Sequence, residues 1–122
     1  MEWMIEKELS YSRLVVTVTR LGEDYHVVVQ GGEKPHIGCV VLAIPRPSLT
    51  GDGSVSVTSS VLNITGHKDE ELCRCLAEML ARKKNAVTVC TGGFHVDHIQ
   101  KEQIAEVTEA IREIEKELGQ LQ

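Results

Sequence analysis

A chain of 122 residues with 42% hydrophobic and 25% charged side chains has room for one domain around one apolar core, and is neither a disordered chain nor a coiled-coil rod. A net charge of −5 and an aromatic content of 3% argue against nucleic acid as a partner: only Arg82-Lys83-Lys84 clusters positive charge, and there are few rings for bases to stack on. The longest apolar run, Cys39 to Ile44, falls far short of the ~20 residues that a membrane-spanning helix needs, and no apolar segment follows Met1, so a cytoplasmic protein without membrane contact is expected.

Residues 1–10 are expected to form a loose end or an interface arm. Leu14 to Arg20 is rich in β-branched residues and reads as a strand. Leu21 to Asp24 is a turn, and Tyr25 to Gln30 is a second strand with Tyr25, Val27 and Val29 on one face, so the two make a hairpin. Gly31 to Pro35 breaks the pattern. Gly38 to Ile44 is a third strand, apolar enough to be buried on both faces. Two prolines make Pro45 to Gly53 a loop without regular pairing, and Ser54 to Ser59 alternates as a strand with one wet face. Asp69 is placed to cap a helix from Glu70 to Lys83, with acids in its first turn and bases in its last, and with Leu72, Leu76, Met79 and Leu80 as its apolar stripe. Ala86 to Thr91 is a short buried strand, Gly92 to His98 a loop, and Lys101 to Leu118 a helix. Ile104, Val107, Ile111, Ile114, Leu118 and Leu121 form a seam on that helix, which packs on the sheet or, alternatively, on another subunit. The order predicts an α+β fold over residues 1–122. Four N-terminal strands precede helix-strand-helix, in a mixed, mostly antiparallel sheet with its helices on one face.

Four cysteines do not read as a disulfide framework in a chain of this apolar content. Cys73 and Cys75 point about 200° apart on a helix and cannot chelate one metal as a pair, while Cys39 and Cys90 read as small buried apolar residues.

Chemically capable residues gather in three glycine-marked segments. In the first, Gly31-Gly32 precedes His36-Ile37-Gly38: paired glycines let backbone approach a ligand and expose N–H groups to an anion, or simply turn the chain. In the second, Gly66-His67-Lys68-Asp69 stands before a helix N-terminus, which offers free N–H donors and a favourable dipole to a phosphate while Lys68 adds charge. The alternative there is an Asp-capped helix with His67 and Lys68 in solvent. In the third, Gly92-Gly93-Phe94-His95-Val96-Asp97-His98 lies between a strand and a helix, where α/β sheets bind ligands. His95 and His98 are spaced to share a divalent metal with Asp97, or they are surface histidines. The Walker spacing, the HExxH helix and the GxGxxG dinucleotide turn are absent. His36, His67, His95 and His98 all fall in these segments, and if the segments share one end of the sheet they enclose a pocket.

In these segments the sequence resembles the LpdD-like prenylated-flavin chaperones, the small D subunits of gallate-type decarboxylases. The features that carry the resemblance are Gly31-Gly32 with His36-Ile37-Gly38, Gly66-His67-Lys68-Asp69, and Gly93-Phe94-His95-Val96-Asp97, in that order across about Leu14 to Ile111. The resemblance implies a non-catalytic accessory protein that binds prenylated FMN, or FMN, and helps to mature or deliver it to the large subunit of a UbiD-type decarboxylase; a homo-oligomer is expected. The implied cofactor residues are Gly31, Gly32, His36, Gly38, Gly66, His67, Lys68, Asp69, Gly92, Gly93, Phe94 and His95. The rival readings are a metal-dependent enzyme that activates water on His95, Asp97 and His98, with His36 as a further candidate, and a structural decarboxylase subunit that docks through its C-terminal seam.

Overall fold

A computed structural model describes residues 1–64 and 67–121, with backbone only at His67 and Lys68. Six strands form one sheet: β1 (Glu2–Glu8), β2 (Arg13–Leu21), β3 (Asp24–Gly32), β4 (Cys39–Pro47), β5 (Val55–Asn63) and β6 (Thr88–His95). Helix α1 (His67–Lys84) precedes β6, and α2 (Lys101–Gly119) follows it. The spatial order is β1-β2-β3-β6-β4-β5, and β3–β6 is the parallel pair among antiparallel ones. The α+β class, with strands first and then helix-strand-helix, is the one the sequence predicts.

Strict alternation builds the core. Leu14, Val16 and Val18 on β2, Tyr25, Val27 and Val29 on β3, and Cys39, Val41 and Ala43 on β4 turn to one face and are buried there. Each large aliphatic side chain so buried stabilises the fold by roughly 1.5–3 kcal/mol. Helix α1 lies over β4, β5 and β6 through Cys73, Leu76, Ala77 and Leu80, and α2 packs beside it towards β2 through Val107, Ile111, Ile114 and Leu118. The α2 seam therefore belongs to the core. No helix among the described residues is long and apolar enough to cross a membrane.

Five sequence expectations need correction. Strand β4, expected to be buried on both faces, buries Cys39, Val41 and Ala43 but not Val40, Leu42 and Ile44, because helices cover one face of the sheet. Residues 1–10 are not a loose end: Glu2–Glu8 pairs antiparallel with β2 as the edge strand. Its outward Glu2, Glu6 and Glu8 are the charges that guard an edge, and they hide the strand from a hydrophobic pattern. Pro45 to Pro47 is not excluded from pairing, since it continues β4 against Val55–Val57. Prolines two residues apart aim their missing N–H groups to the same side, and β6, the partner on the side away from β5, ends its pairing at Ala43. Gly92 to His95 is strand rather than loop, in register with Val29 to Gly32. Asp69 lies inside α1 rather than capping it, because its carboxylate is used elsewhere.

Candidate functional site

The first and third segments meet where the parallel pair ends. Gly31 lies beside Phe94 and Gly32 beside His95, while Gly38 N–H donates to the Gly92 carbonyl at 2.8 Å. Strand β4 starts its pairing with β6 at Cys39 opposite Gly92, so the edge of β6 beyond that point is open, and Asp69 of α1 fills it. Asp69 is buried; its Oδ1 accepts the Phe94 N–H at 2.8 Å, and its Oδ2 stands 3.0 Å from His36 Nε2. A helix residue thus closes a backbone hydrogen bond that a missing strand leaves open.

His36 is held at both ring nitrogens. Nδ1 lies 3.1 Å from the Lys34 carbonyl, which can only accept, so Nδ1 carries a proton. Nε2 faces Asp69, so the ring orientation is fixed from both sides. The site needs glycine at 93: a Cβ there would come within 2.8 Å of His36 Nε2 and 2.9 Å of Asp69 Oδ2. At Gly92, φ is +130° and a Cβ would strike the Val29 carbonyl. These glycines serve the approach of chain to chain.

A second histidine–carboxylate pair stands beside the first. His95 Nε2 lies 2.8 Å from Asp97 Oδ1, and the His95 ring meets the His36 ring edge to face at 6.1 Å. His98 follows with φ +54°. Among the described residues no group of three or more His, Cys, Asp or Glu side chains is arranged to hold a metal ion.

Next to this junction, between the first turns of α1 and α2, lies a cleft of about 390 Å³. Phe94 and His95 form one wall, Leu72 of α1 another, and Ile104, Val107 and Thr108 of α2 a third, with Val96, His98 and Ile99 from the intervening loop and Glu71 completing it. An apolar cleft with a few polar groups, of this size, suits a ring system with hydrogen-bonding edges. The β1–β2 connection braces it. The Tyr11 ring meets Phe94 edge to face at 6.3 Å and its hydroxyl donates to the Gln103 carbonyl at 2.7 Å. Ser10 donates N–H and hydroxyl hydrogen bonds to Glu106, which hold that carboxyl below the usual range. Burial, with the Glu106 charge adding to it, pushes the Tyr11 phenol up to about 12.

Three of the four thiols lie in the core below. Cys39, Cys73 and Cys90 are buried; burial raises the Cys39 thiol, and hydrogen bonding to Cys90 followed by burial raises Cys73. Such thiols are poor nucleophiles.

The structure therefore brings Gly31, Gly32, His36, Gly38, Asp69, Gly92, Gly93, Phe94 and His95 together. Gly66 and the side chains of His67 and Lys68 lie outside the described residues, although the α1 backbone from His67 onward starts beside Asp69. Sequence reasoning missed Leu72, Ile99, Ile104, Thr108 and Tyr11. Ile104 carried a signal: it opens the α2 seam, yet it is 36% exposed because it faces the cleft instead of the core.

The family model of the prenylated flavin chaperone LpdD-like domain matches residues 10–121 of the chain. No curated protein matches it. Among solved structures, a chain in the crystal structure of a novel chaperone complex for yeast 20S proteasome assembly is similar, with a TM-score of 0.52 and 11% sequence identity over 94% of this chain and 98% of that one. At that identity the likeness concerns the fold alone.

Proposed function

We propose, for a chain that belongs to the prenylated flavin chaperone LpdD-like family, that the cleft between α1 and α2 binds prenylated FMN and that the protein matures the cofactor or delivers it to a UbiD-type decarboxylase. The observation that carries this reading is the junction at Asp69, which ties His36, the Phe94 backbone and the start of α1 into one wall of an apolar cleft. The ring system lies against Phe94, with Leu72 and Ile104 opposite and His95 and His98 at its polar edge. The phosphate sits at the N-terminus of α1, where the helix dipole favours an anion and where His67 and Lys68 stand in sequence. Acids in the same turn are already engaged: Glu70 accepts from Asn63 at 2.6 Å and from Arg74, and Asp69 from Phe94. The bound flavin supplies the redox chemistry; the chain's own residues bind it, shield it from water and hold its phosphate. Gly31, Gly32, Gly38, Gly92 and Gly93 contribute by allowing the close backbone packing on which the wall depends.

Titration of the purified protein with reduced prenylated FMN, followed by its visible spectrum, tests this reading. Stoichiometric binding is expected. Lys68→Ala is expected to weaken the phosphorylated cofactor about tenfold and its dephospho form far less, in keeping with the ~1.5–3 kcal/mol of a charge-assisted hydrogen bond. Equal losses for both forms would count against the phosphate seat, and no spectral change at all would remove the function.

A further inference from the structure

Helices cover one face of the sheet, and the strand register shows what the other carries. One row of side chains crosses all six strands of the uncovered face. Met4 lies beside Thr17, Thr17 beside Val28, Val28 beside Thr91, Thr91 beside Val40, and Val40 beside Leu62. None is charged. At its ends Met4 and Leu62 are 69% and 70% exposed. The neighbouring positions add Val89 beside Leu42, and then Ile44, which is 44% exposed. A sheet with one face in water ordinarily alternates apolar inward with polar outward. Strand β4 instead turns Val40, Leu42 and Ile44 outward.

We propose that this face is the contact with a second copy of this chain, the two sheets stacking into a sandwich about a two-fold axis parallel to the strands. Area and charge argue for that occupant. Six strands at ~4.8 Å and up to nine residues at ~3.3 Å give a face of roughly 850 Å², close to the ~800 Å² per partner of a standard stable interface. The charges select the axis. On this face β1 presents Glu2, Glu6 and Glu8, while β4 and β5 present no acid and one base, Arg46. An axis across the strands would set the acids of β1 over their own copies, whereas an axis along the strands sets β1 over the partner's acid-free β5. The uncharged row then meets itself reversed, with Met4 over Leu62 of the partner subunit and Val28 over the partner subunit's Thr91.

Sedimentation equilibrium of the full chain at micromolar concentration tests the proposal, and the expected species has twice the 13.5 kDa chain mass. Val28→Glu and Thr91→Arg each place an unpaired charge in the contact and are expected to raise the dimer dissociation constant about 100-fold, with circular dichroism showing the fold retained. Mixing the two variants is expected to restore a heterodimer, because the new charges face each other. If either central variant fails to fold, Leu62→Glu at the exposed end of the row is expected to weaken the dimer about tenfold. A monomeric wild type, or folded variants that dimerise as tightly as wild type, would overturn the proposal; failure of the mixture to recover would overturn the axis.

Discussion

Two histidine–carboxylate pairs stand side by side in this protein, and by distance alone they are equivalent: His36–Asp69 at 3.0 Å and His95–Asp97 at 2.8 Å. Their surroundings differ. The side chains of the first pair are 27% and 7% exposed, those of the second 52% and 71%. The first joins residues 33 apart in the chain, the second residues two apart. A local pair forms in the unfolded chain almost as readily as in the folded one, and water screens it in both. A buried pair between distant segments exists only when both segments are in place, and losing one member strands the other in low dielectric. Sequence separation and burial therefore make His36–Asp69 the structural clamp of the site and leave His95–Asp97 as adjustable groups at the mouth of the cleft.

The sharpest way to break this contrast is Asp69→Ala. It removes the acceptor of the buried Phe94 N–H and the counter-group of His36 together. Unfolding in urea is expected to show a loss of about 3 kcal/mol, the range for a buried polar group deprived of its partner. A loss under about 1 kcal/mol would mean that water replaces the carboxylate and that the edge of β6 does not need α1.

A smaller effect is expected one step outward, at Tyr11, which supports Phe94 from the opposite side. Its phenol is raised from 10.0 to about 12 in the folded protein, so folding favours the neutral form. That contribution to stability is fully present below pH 10 and is lost as pH rises from 10 to about 12. Ultraviolet titration is expected to show one tyrosine ionising near pH 12, and Tyr11→Phe is expected to abolish that step while costing about 1 kcal/mol for the hydrogen bond to Gln103. If Tyr11→Phe instead removed a step at the ordinary value, the β1–β2 connection would not close over Phe94.

What was legible in the sequence follows the same division between local and distant. The β-branched content of Leu14–Arg20, the alternation of Tyr25–Gln30 and the 3–4 spacing of Ile104 to Leu118 are local, and they announce β2, β3 and α2, the last two with their inward faces. The parallel pairing of β3 with β6 is not local, and it is this pairing that turns Gly92-Gly93 from an apparent loop into strand. Asp69 shows the limit most clearly. Before a run of helix formers it reads as a cap, because nothing near it in the chain reveals the open strand edge and the His36 ring that claim its two oxygens. The three segments were recognisable as a set by their glycines and histidines, but the cleft also needs Leu72, Ile99 and Ile104, apolar residues whose type cannot distinguish a pocket wall from a core.

The smallest expected effect belongs to Asp97→Asn. The amide keeps the shape and can still accept from His95 Nε2, so only the charge is lost, in a pair whose members are both more than half exposed. Stability is expected to change by less than about 0.5 kcal/mol in urea unfolding. Affinity for the flavin can still respond, because the charge that orients His95 at the cleft mouth is gone while the wall behind it is intact. A variant as stable as wild type but weaker in the spectral titration would place His95 against the ligand. A variant that loses as much stability as Asp69→Ala would show that the two pairs act as one network through their edge-to-face rings, whose centroids are 6.1 Å apart, and the distinction between clamp and mouth would fall.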